Sequence, residues 1–564
     1  MGQTLLETLT AKQLVLFTLF VLVATSAFFV IGGTKGADPA SANIHIANLF
    51  TPDDYNQEKW VWYKVDDPVA NEKQKYYNGK IVDLFKHRKN ISAEHLVLSS
   101  KFPHPGSNTM HRVYQFMLVF MTIQVDFMME NVVTGNVAVK TTQECMIEFN
   151  AKLGYSDYDG DAVNPPSWTL LTSVKNQKRP LKCKFNMLQK RDDNVTTDGY
   201  YTCEDQYLFE LGSVAHKHYI LNMQFPATDT NKFCLASETS YFGGLHLTEI
   251  HQNGGYTISL FVSKTVMFPF IAAALFFFLR RIRRENREKS LLEKSIFWLG
   301  SAMLILLFPI DWLTLVADMP YMLLFSDLRQ GLFYTALLVF WCIFSGEHIL
   351  DQNERNKLAS YKYEIGSISV GCLALFIFDC VERGVQLSNP FHTIWKKDAG
   401  EKAAKAFLGL AAFASIIYCL FFMRLLYFVY RNIRMKEVAL PAMQEDRRLY
   451  YQNRIYRFRV LLWVSLFTVV ATIVCFVLDQ INETTWKFED SAMNDYVVFS
   501  SAMHFGMFGM WGTYVFSVLI LYSPSSDGTR NAGPDVQYRR SEHLLHGGDG
   551  SGDEDEVNFR HPKT

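Results

Sequence analysis

The sequence predicts an α+β membrane protein, with an antiparallel β-sandwich inserted between a first transmembrane helix and seven further transmembrane helices. Three observations predict it. Eight apolar stretches occur along the chain, seven of them behind a long polar block. Within that block, residues 34–257, apolar and polar residues alternate between clusters of turn formers. Hydrophobic residues make up 49% and aromatics 15%, yet 20% are charged, so a folded polar domain must accompany the membrane part.

Residues 1–12 precede the first stretch, which occupies residues 13–33. From Gln13 to Ile31 it carries no charge and suffices to cross a hydrocarbon core about 30 Å thick. It is read as an uncleaved anchor, because the run continues as Phe28-Phe29-Val30-Ile31 past the small residues Thr25-Ser26-Ala27. A cleaved signal peptide is the competing reading and would leave seven helices. In the block that follows, Ile123, Val125 and Phe127 alternate with Gln124 and Asp126, and Tyr219 to Phe225 is apolar with Asn222 and Gln224 interspersed. Thr134-Gly135-Asn136 and Asp159-Gly160-Asp161 supply turns. These features read as a sandwich.

The other seven stretches begin near Leu260, Ile296, Phe333, Ile368, Ala406, Val460 and Val497, within residues 258–522. In lipid their backbones satisfy their hydrogen bonds only as helix. Arginine and lysine set the orientation. Arg280, Arg281, Arg283, Arg284, Arg287 and Lys289 follow helix two, and the loop from Arg431 to Arg459 follows helix six, so both belong to the cytosol. Counting helices then places both chain ends in the cytosol and residues 34–257 in the lumen, with residues 523–564 a disordered cytosolic tail. A luminal loop with Lys396, Lys397, Lys402 and Lys405 opposes this assignment and is outweighed.

Four of the nine cysteines, Cys145, Cys183, Cys203 and Cys234, lie in the oxidising compartment, where at least one disulfide is expected. Cys183 and Cys203 flank a polar loop with the turn Asp198-Gly199, which suits a hairpin closed by a bridge. Asn90, Asn194 and Asn482 head N-glycosylation sequons.

Ionisable residues at membrane depth are candidates for function: Asp311, Asp327, Arg329, Glu347, His348, Asp379, Glu382, Arg383 and His504. Asp379, Glu382 and Arg383 share one face of helix five, at i, i+3 and i+4, and are read as a structural ion-pair cluster. Glu347-His348 is read as a solvated helix end. No zinc, nucleophile-elbow or phosphate-loop motif is present, so the chain is expected to be no enzyme, with no cofactor, metal or catalytic residue. A net charge of −1 implies no nucleic-acid partner.

Longer strings carry a resemblance. Ile250-His251-Gln252-Asn253-Gly254-Gly255-Tyr256-Thr257, Asp327-Leu328-Arg329-Gln330-Gly331-Leu332-Phe333-Tyr334, Gly346-Glu347-His348, Phe376-Ile377-Phe378-Asp379-Cys380-Val381-Glu382-Arg383, Asn389-Pro390-Phe391 and Gly212-Ser213-Val214-Ala215-His216-Lys217 closely resemble the Wntless family of Wnt sorting receptors. The resemblance runs from about residue 1 to 523. It implies a GPCR-like seven-helix bundle and a receptor that carries acylated Wnt proteins from the endoplasmic reticulum and Golgi, through endosomes, to the plasma membrane. It implies that the acyl chain enters the membrane core beside membrane lipids, while the Wnt protein body meets the luminal domain. Helix spacing then places the acyl lining between helices four and five, at Phe333, Tyr334, Leu337, Phe340 and Phe376.

Clathrin-adaptor and retromer-type recycling machinery are the further implied partners. Tyr451-Gln452-Asn453-Arg454 is a degenerate form of the family's endocytic signal, with Arg454 in place of a bulky apolar residue. Of the family's cysteine pairs only Cys183 with Cys203 carries over, and Cys145 and Cys234 remain to pair instead. Glu542-His543-Leu544-Leu545 is a weak substitute sorting signal. A GPCR-type signalling receptor, engaging a transducer through the Arg431 to Arg459 loop, is the alternative function.

Overall fold

The computed structural model describes residues 4–36, 38–52, 79–82, 96–103, 109–127, 142–158, 168–187, 199–226, 228–231, 240–284, 288–347, 357–392, 398–442, 445–488 and 493–524. Asn90, Asn194, Cys234, His348 and the tail with Glu542 to Leu545 lie outside them. Eight helices among them are long and apolar enough to cross a membrane. We number them α1 (Ala11–Lys35), α2 (Gly254–Arg284), α3 (Leu291–Leu307), α4 (Met322–Gly346), α5 (Lys362–Ser388), α6 (Asp398–Ala439), α7 (Glu445–Phe488) and α8 (Met493–Leu521). Tyr451 and Asn482 both fall on α7.

Several helices begin well before their apolar windows. The start of α4 at Met322 takes Asp327 and Arg329 into the helix, where buried Arg329 pairs with Asp311 and partly exposed Asp327 lies 3.7 Å from Arg383. Capping boxes mark two of the starts. Thr10 and Gln13 cap α1, while Ser290 and Glu293 cap α3, each pair satisfying two otherwise orphaned N–H groups.

Among the described residues eleven antiparallel strands lie between α1 and α2: β1 (Ala40–Ile46), β2 (Asn48–Pro52), β3 (Gly79–Val82), β4 (Leu96–Phe102), β5 (Met117–Phe127), β6 (Thr142–Ser156), β7 (Thr169–Met187), β8 (Gly199–Cys203), β9 (Gln206–Leu211), β10 (His218–Phe225) and β11 (Ser240–Gln252). They run in the hydrogen-bonded order β1-β11-β5-β8-β7-β6-β10-β4-β2-β3, with β9 also on β5. The sheet folds over itself. Met117, Val119, Met121, Ile123 and Val125 of β5 thereby share one core with Ile147, Phe149 and Leu153 of β6 and Tyr219, Leu221, Met223 and Phe225 of β10. The alternate residues of β5 explain the arrangement, since a strand turns every second side chain to the same face. Cys183 and Cys203 are cross-strand partners on β7 and β8 with their Sγ atoms 2.08 Å apart. Cys145 is disulfide-bonded as well.

The sandwich is fixed to the bundle at three places. First, β1 pairs with β11 from Ala40↔Gln252 onward, so the chains leaving α1 and reaching α2 run side by side, with Asn253 alone between β11 and α2. Second, the α3–α4 connection meets the sandwich. Arg112 donates to the Val316 carbonyl, Ser213 Oγ donates to Asp318 Oδ1 at 2.6 Å, and Gly212 lies so close to the Pro320 carbonyl that a Cβ would stand 2.9 Å from it. Third, the α5–α6 connection enters the sandwich itself: Phe391 is fully buried in its core, edge-on to Phe209 at 5.4 Å.

Candidate functional site

Helices α4 and α5 meet along a stripe that the sequence spacing places at Asp327, Gly331 and Thr335 on α4. At its sandwich-side end Arg383 of α5 donates to Glu210 of β9 at 2.6 Å and lies 3.7 Å from Asp327. Gln386, one turn on, donates to the other Glu210 oxygen at 2.9 Å. Two turns deeper the Cys372 thiol of α5 lies beside the Thr335 hydroxyl, which donates to the Gly331 carbonyl at 2.8 Å. Between these ties Gly331 is exposed, and a Cβ built on it meets nothing within 4 Å. The α4–α5 seam is therefore open at that level, where α5 carries Phe376 and Asp379. Above it, between sandwich and bundle, lies a cavity of about 250 Å³ lined by Glu210, His216, Asp318, Leu323, Arg383 and Leu387 among others.

The residues singled out in the sequence divide between two environments. Phe333, Leu337 and Phe340 are buried on α4 and turned toward α8, with Phe333 5.2 Å from Trp511 and Phe340 6.3 Å from Tyr514. Tyr334 touches Trp511 edge-on and is half-buried. Phe376 stands apart from these four, exposed on α5. In the Asp379, Glu382 and Arg383 group, Arg383 reaches across to Glu210 and Asp327 and also donates along its own helix to Gln386 at 3.2 Å. Glu347, read from the sequence as a solvated helix end, is instead buried and accepts a hydrogen bond from Tyr361 at 3.2 Å, because Tyr361 packs over Gly346.

Sequence reasoning missed three participants. Glu210 and Phe391 are unremarkable in sequence, since a glutamate on an alternating strand and a phenylalanine after proline carry no long-range information. Lys264 did leave a signal, as a lysine inside the apolar run of α2. It pairs with Asp311 at 3.0 Å, and Asp311 is shared with Arg329, all three being buried.

The sandwich wall around Phe391 is polar and buried. Arg179 donates to the Phe391 carbonyl at 3.4 Å, and burial pulls its guanidinium down to about 10, opposed by the neighbouring Tyr207 hydroxyl. Burial raises the Tyr207 hydroxyl, which donates to the Pro390 carbonyl at 3.3 Å. On the β1–β11 edge Glu249 is fully buried between His45 and His251, at 2.7 and 3.0 Å. Burial works to raise its carboxyl, but hydrogen bonds from His251 and His45 outweigh it and hold the group below the ordinary carboxylate range.

A β-sandwich seated by three contacts on a bundle with eight candidate membrane-crossing helices among the described residues, with an interdomain cavity above an open helix seam, defines a multi-pass membrane protein carrying a folded β domain outside the bilayer. Two family models match in tandem: "Wntless, GOLD domain" over residues 51–252 and "Wntless-like, transmembrane domain" over residues 253–526. Among curated proteins, the mouse (Mus musculus) "Protein wntless homolog" is 35% identical over 525 residues, covering 93% of this chain and 92% of that protein. Its human (Homo sapiens) counterpart is 34% identical with the same coverage, and "Protein wntless" of Drosophila ananassae is 42% identical over 335 residues, 58% of each chain. The chain belongs to the Wntless family, whose members are cargo receptors in Wnt secretion.

Proposed function

We propose that this chain binds acylated Wnt proteins in the secretory pathway and carries them to the cell surface, with the fatty acyl chain in the α4–α5 seam and the Wnt protein body on the sandwich. The observation that carries the reading is the gap at Gly331, bounded by polar ties and lying beneath the interdomain cavity. A chain entering from the cavity would pass from polar walls to apolar ones. Phe376 and Tyr334 flank that path, and Phe333, Leu337 and Phe340 form the packed wall behind it. Each CH₂ withdrawn from water contributes about 0.8 kcal/mol, so the acyl group supplies affinity while the sandwich supplies selectivity.

In this reading the sandwich faces the lumen and both chain ends face the cytosol, with Asn90, Asn194 and Asn482 available for glycosylation. Recycling between the plasma membrane, endosomes and Golgi would run through adaptor and retromer-type machinery reading Tyr451 or the tail.

The test is co-purification of Wnt with the full receptor, comparing native cargo with cargo whose acylated serine is replaced by alanine, each against native receptor and Gly331→Trp. Native cargo should be held by the native receptor alone, and Gly331→Trp should reach the surface folded yet empty-handed. Retention of the unacylated cargo at native levels would refute the acyl reading, and full retention by Gly331→Trp would refute its placement.

A further inference from the structure

Three charged side chains converge where α2, the turn after α3 and α4 approach the sandwich. Lys264 Nζ donates to Asp311 Oδ2 at 3.0 Å, Arg329 donates through Nη2 to Asp311 Oδ1, and Arg329 Nη1 donates to the Phe308 carbonyl at 3.1 Å. Their relative exposures are 5% for Lys264, 5% for Asp311 and 2% for Arg329. One carboxylate thus answers two cations, at a depth where water screens little and an uncompensated charge is costly. Both Asp311 oxygens are already engaged. Arg329 Nε is buried with no hydrogen-bond partner among the described residues, and for Lys264 Asp311 is the one acceptor among them. The remaining neighbours are aromatic: Phe508 lies 5.4 Å from Lys264 and Phe325 lies 5.1 Å from Arg329.

A cavity of about 80 Å³ adjoins this cluster, between bundle and sandwich. Lys264 and Asp311 form its floor and Arg112 its sandwich-side wall, with Ser326 and Thr314 beside them. Asp311 is the one carboxylate among the described lining residues. Asp318, held by Ser213, lines the larger neighbouring cavity. One cation from each domain, Lys264 and Arg112, therefore borders a small space whose other polar walls include Gln115, Gln252 and Ser326.

We propose that this cavity binds a small inorganic anion of chloride size, which balances the Lys264–Asp311–Arg329 cluster and links it to Arg112 of the sandwich. The anion completes the buried charge set, as a second carboxylate would. It also makes the joint between the two domains depend on the ionic composition of the compartment.

The test is thermal unfolding of the purified full chain in detergent, in sodium chloride, sodium bromide or sodium gluconate at one ionic strength. Chloride and bromide should raise the midpoint saturably, and gluconate, too bulky for the cavity, should not. At a tenfold excess over Kd the folded-to-unfolded ratio should rise about elevenfold. Arg112→Gln, on the half-buried sandwich wall, should move the chloride titration to higher concentration, and Lys264→Met should abolish it. Where Lys264→Met fails to fold, the Arg112→Gln titration decides. Superimposable curves in chloride and gluconate would overturn the proposal. A chloride response unchanged in Arg112→Gln would overturn it equally, as a general salt effect.

Discussion

Two helix seams of the bundle use glycine in opposite ways. Along α1–α8, a methyl group on Gly506 or Gly509 would overlap the rings of Phe29 and Phe28, and one on Gly32 would come within 2.7 Å of Phe505 Cβ. A hydrogen bond of 3.1 Å between Thr25 and Thr513 closes the same seam. Along α4–α5, Gly331 faces open space. The first seam is filled to contact, as expected where small residues let helix backbones approach without a hydrophobic driving force. The second is held at its polar ends and left unfilled between them. Glycine alone therefore says nothing of function; what its missing side chain would meet decides whether it serves packing or passage.

The contrast is broken most severely from the packed side. Gly509→Leu should force Phe28 out of the α1–α8 seam at about 3 kcal/mol or more, read as loss of surface expression and a lowered unfolding midpoint. If Gly509→Leu is expressed and as stable as the native chain, the two seams do not differ as described. Arg383→Ala comes next, because it removes the tie that closes the open seam at one end and leaves Glu210 without its cation. A loss of about 1–3 kcal/mol is expected, partly recovered by exchanging the charges as Glu210→Arg with Arg383→Glu. Failure of that exchange to restore any stability would place the role of Arg383 elsewhere.

Gly331→Trp sharpens the comparison from the other direction. Its stability should lie within about 0.5 kcal/mol of native, since the new ring enters unfilled space. A destabilisation comparable to that of Gly509→Leu would show that the seam closes at Gly331.

The smallest effect concerns acid. Burial, reinforced by Lys217 and Lys101 and opposed by a hydrogen bond that the ring donates to the Tyr158 backbone carbonyl and by Asp157, holds the His218 imidazole of the sandwich below its ordinary value. The unfolded chain then binds the proton first, so stability declines as pH falls below about 6.5, by at most about 1.4 kcal/mol per pH unit. His218→Phe should flatten that decline. Ring–glycine contacts and a threonine pair do not titrate, so a probe on the α1–α8 seam should report no change across the same range.

The eight helices and the β5 and β10 strands were legible in the sequence because each is announced by its own residues, through an apolar window or an alternation. What the windows do not carry is partnership. Asp311 and Arg329 stood out as costly charges, yet nothing local says that they share Lys264 from a different helix. The i, i+4 stripe of Phe333 and Leu337 with Phe340 was visible, but a stripe has no label for the helix it faces, and it faces α8. The open position is a glycine, whose environment is written entirely in its neighbours.

The burial of Phe391 imposes an order on biosynthesis. The eleven described strands of the sandwich leave the ribosome before α2, while this ring, which belongs to their core, arrives only after α5. Until then the sandwich carries a hole the size of a phenyl ring beside Phe209, and the buried Arg179 lacks the carbonyl it donates to. A chain whose fifth helix has not been inserted correctly therefore displays that defect on the sandwich. Chaperones that bind exposed apolar surface can read there the state of a helix they never touch.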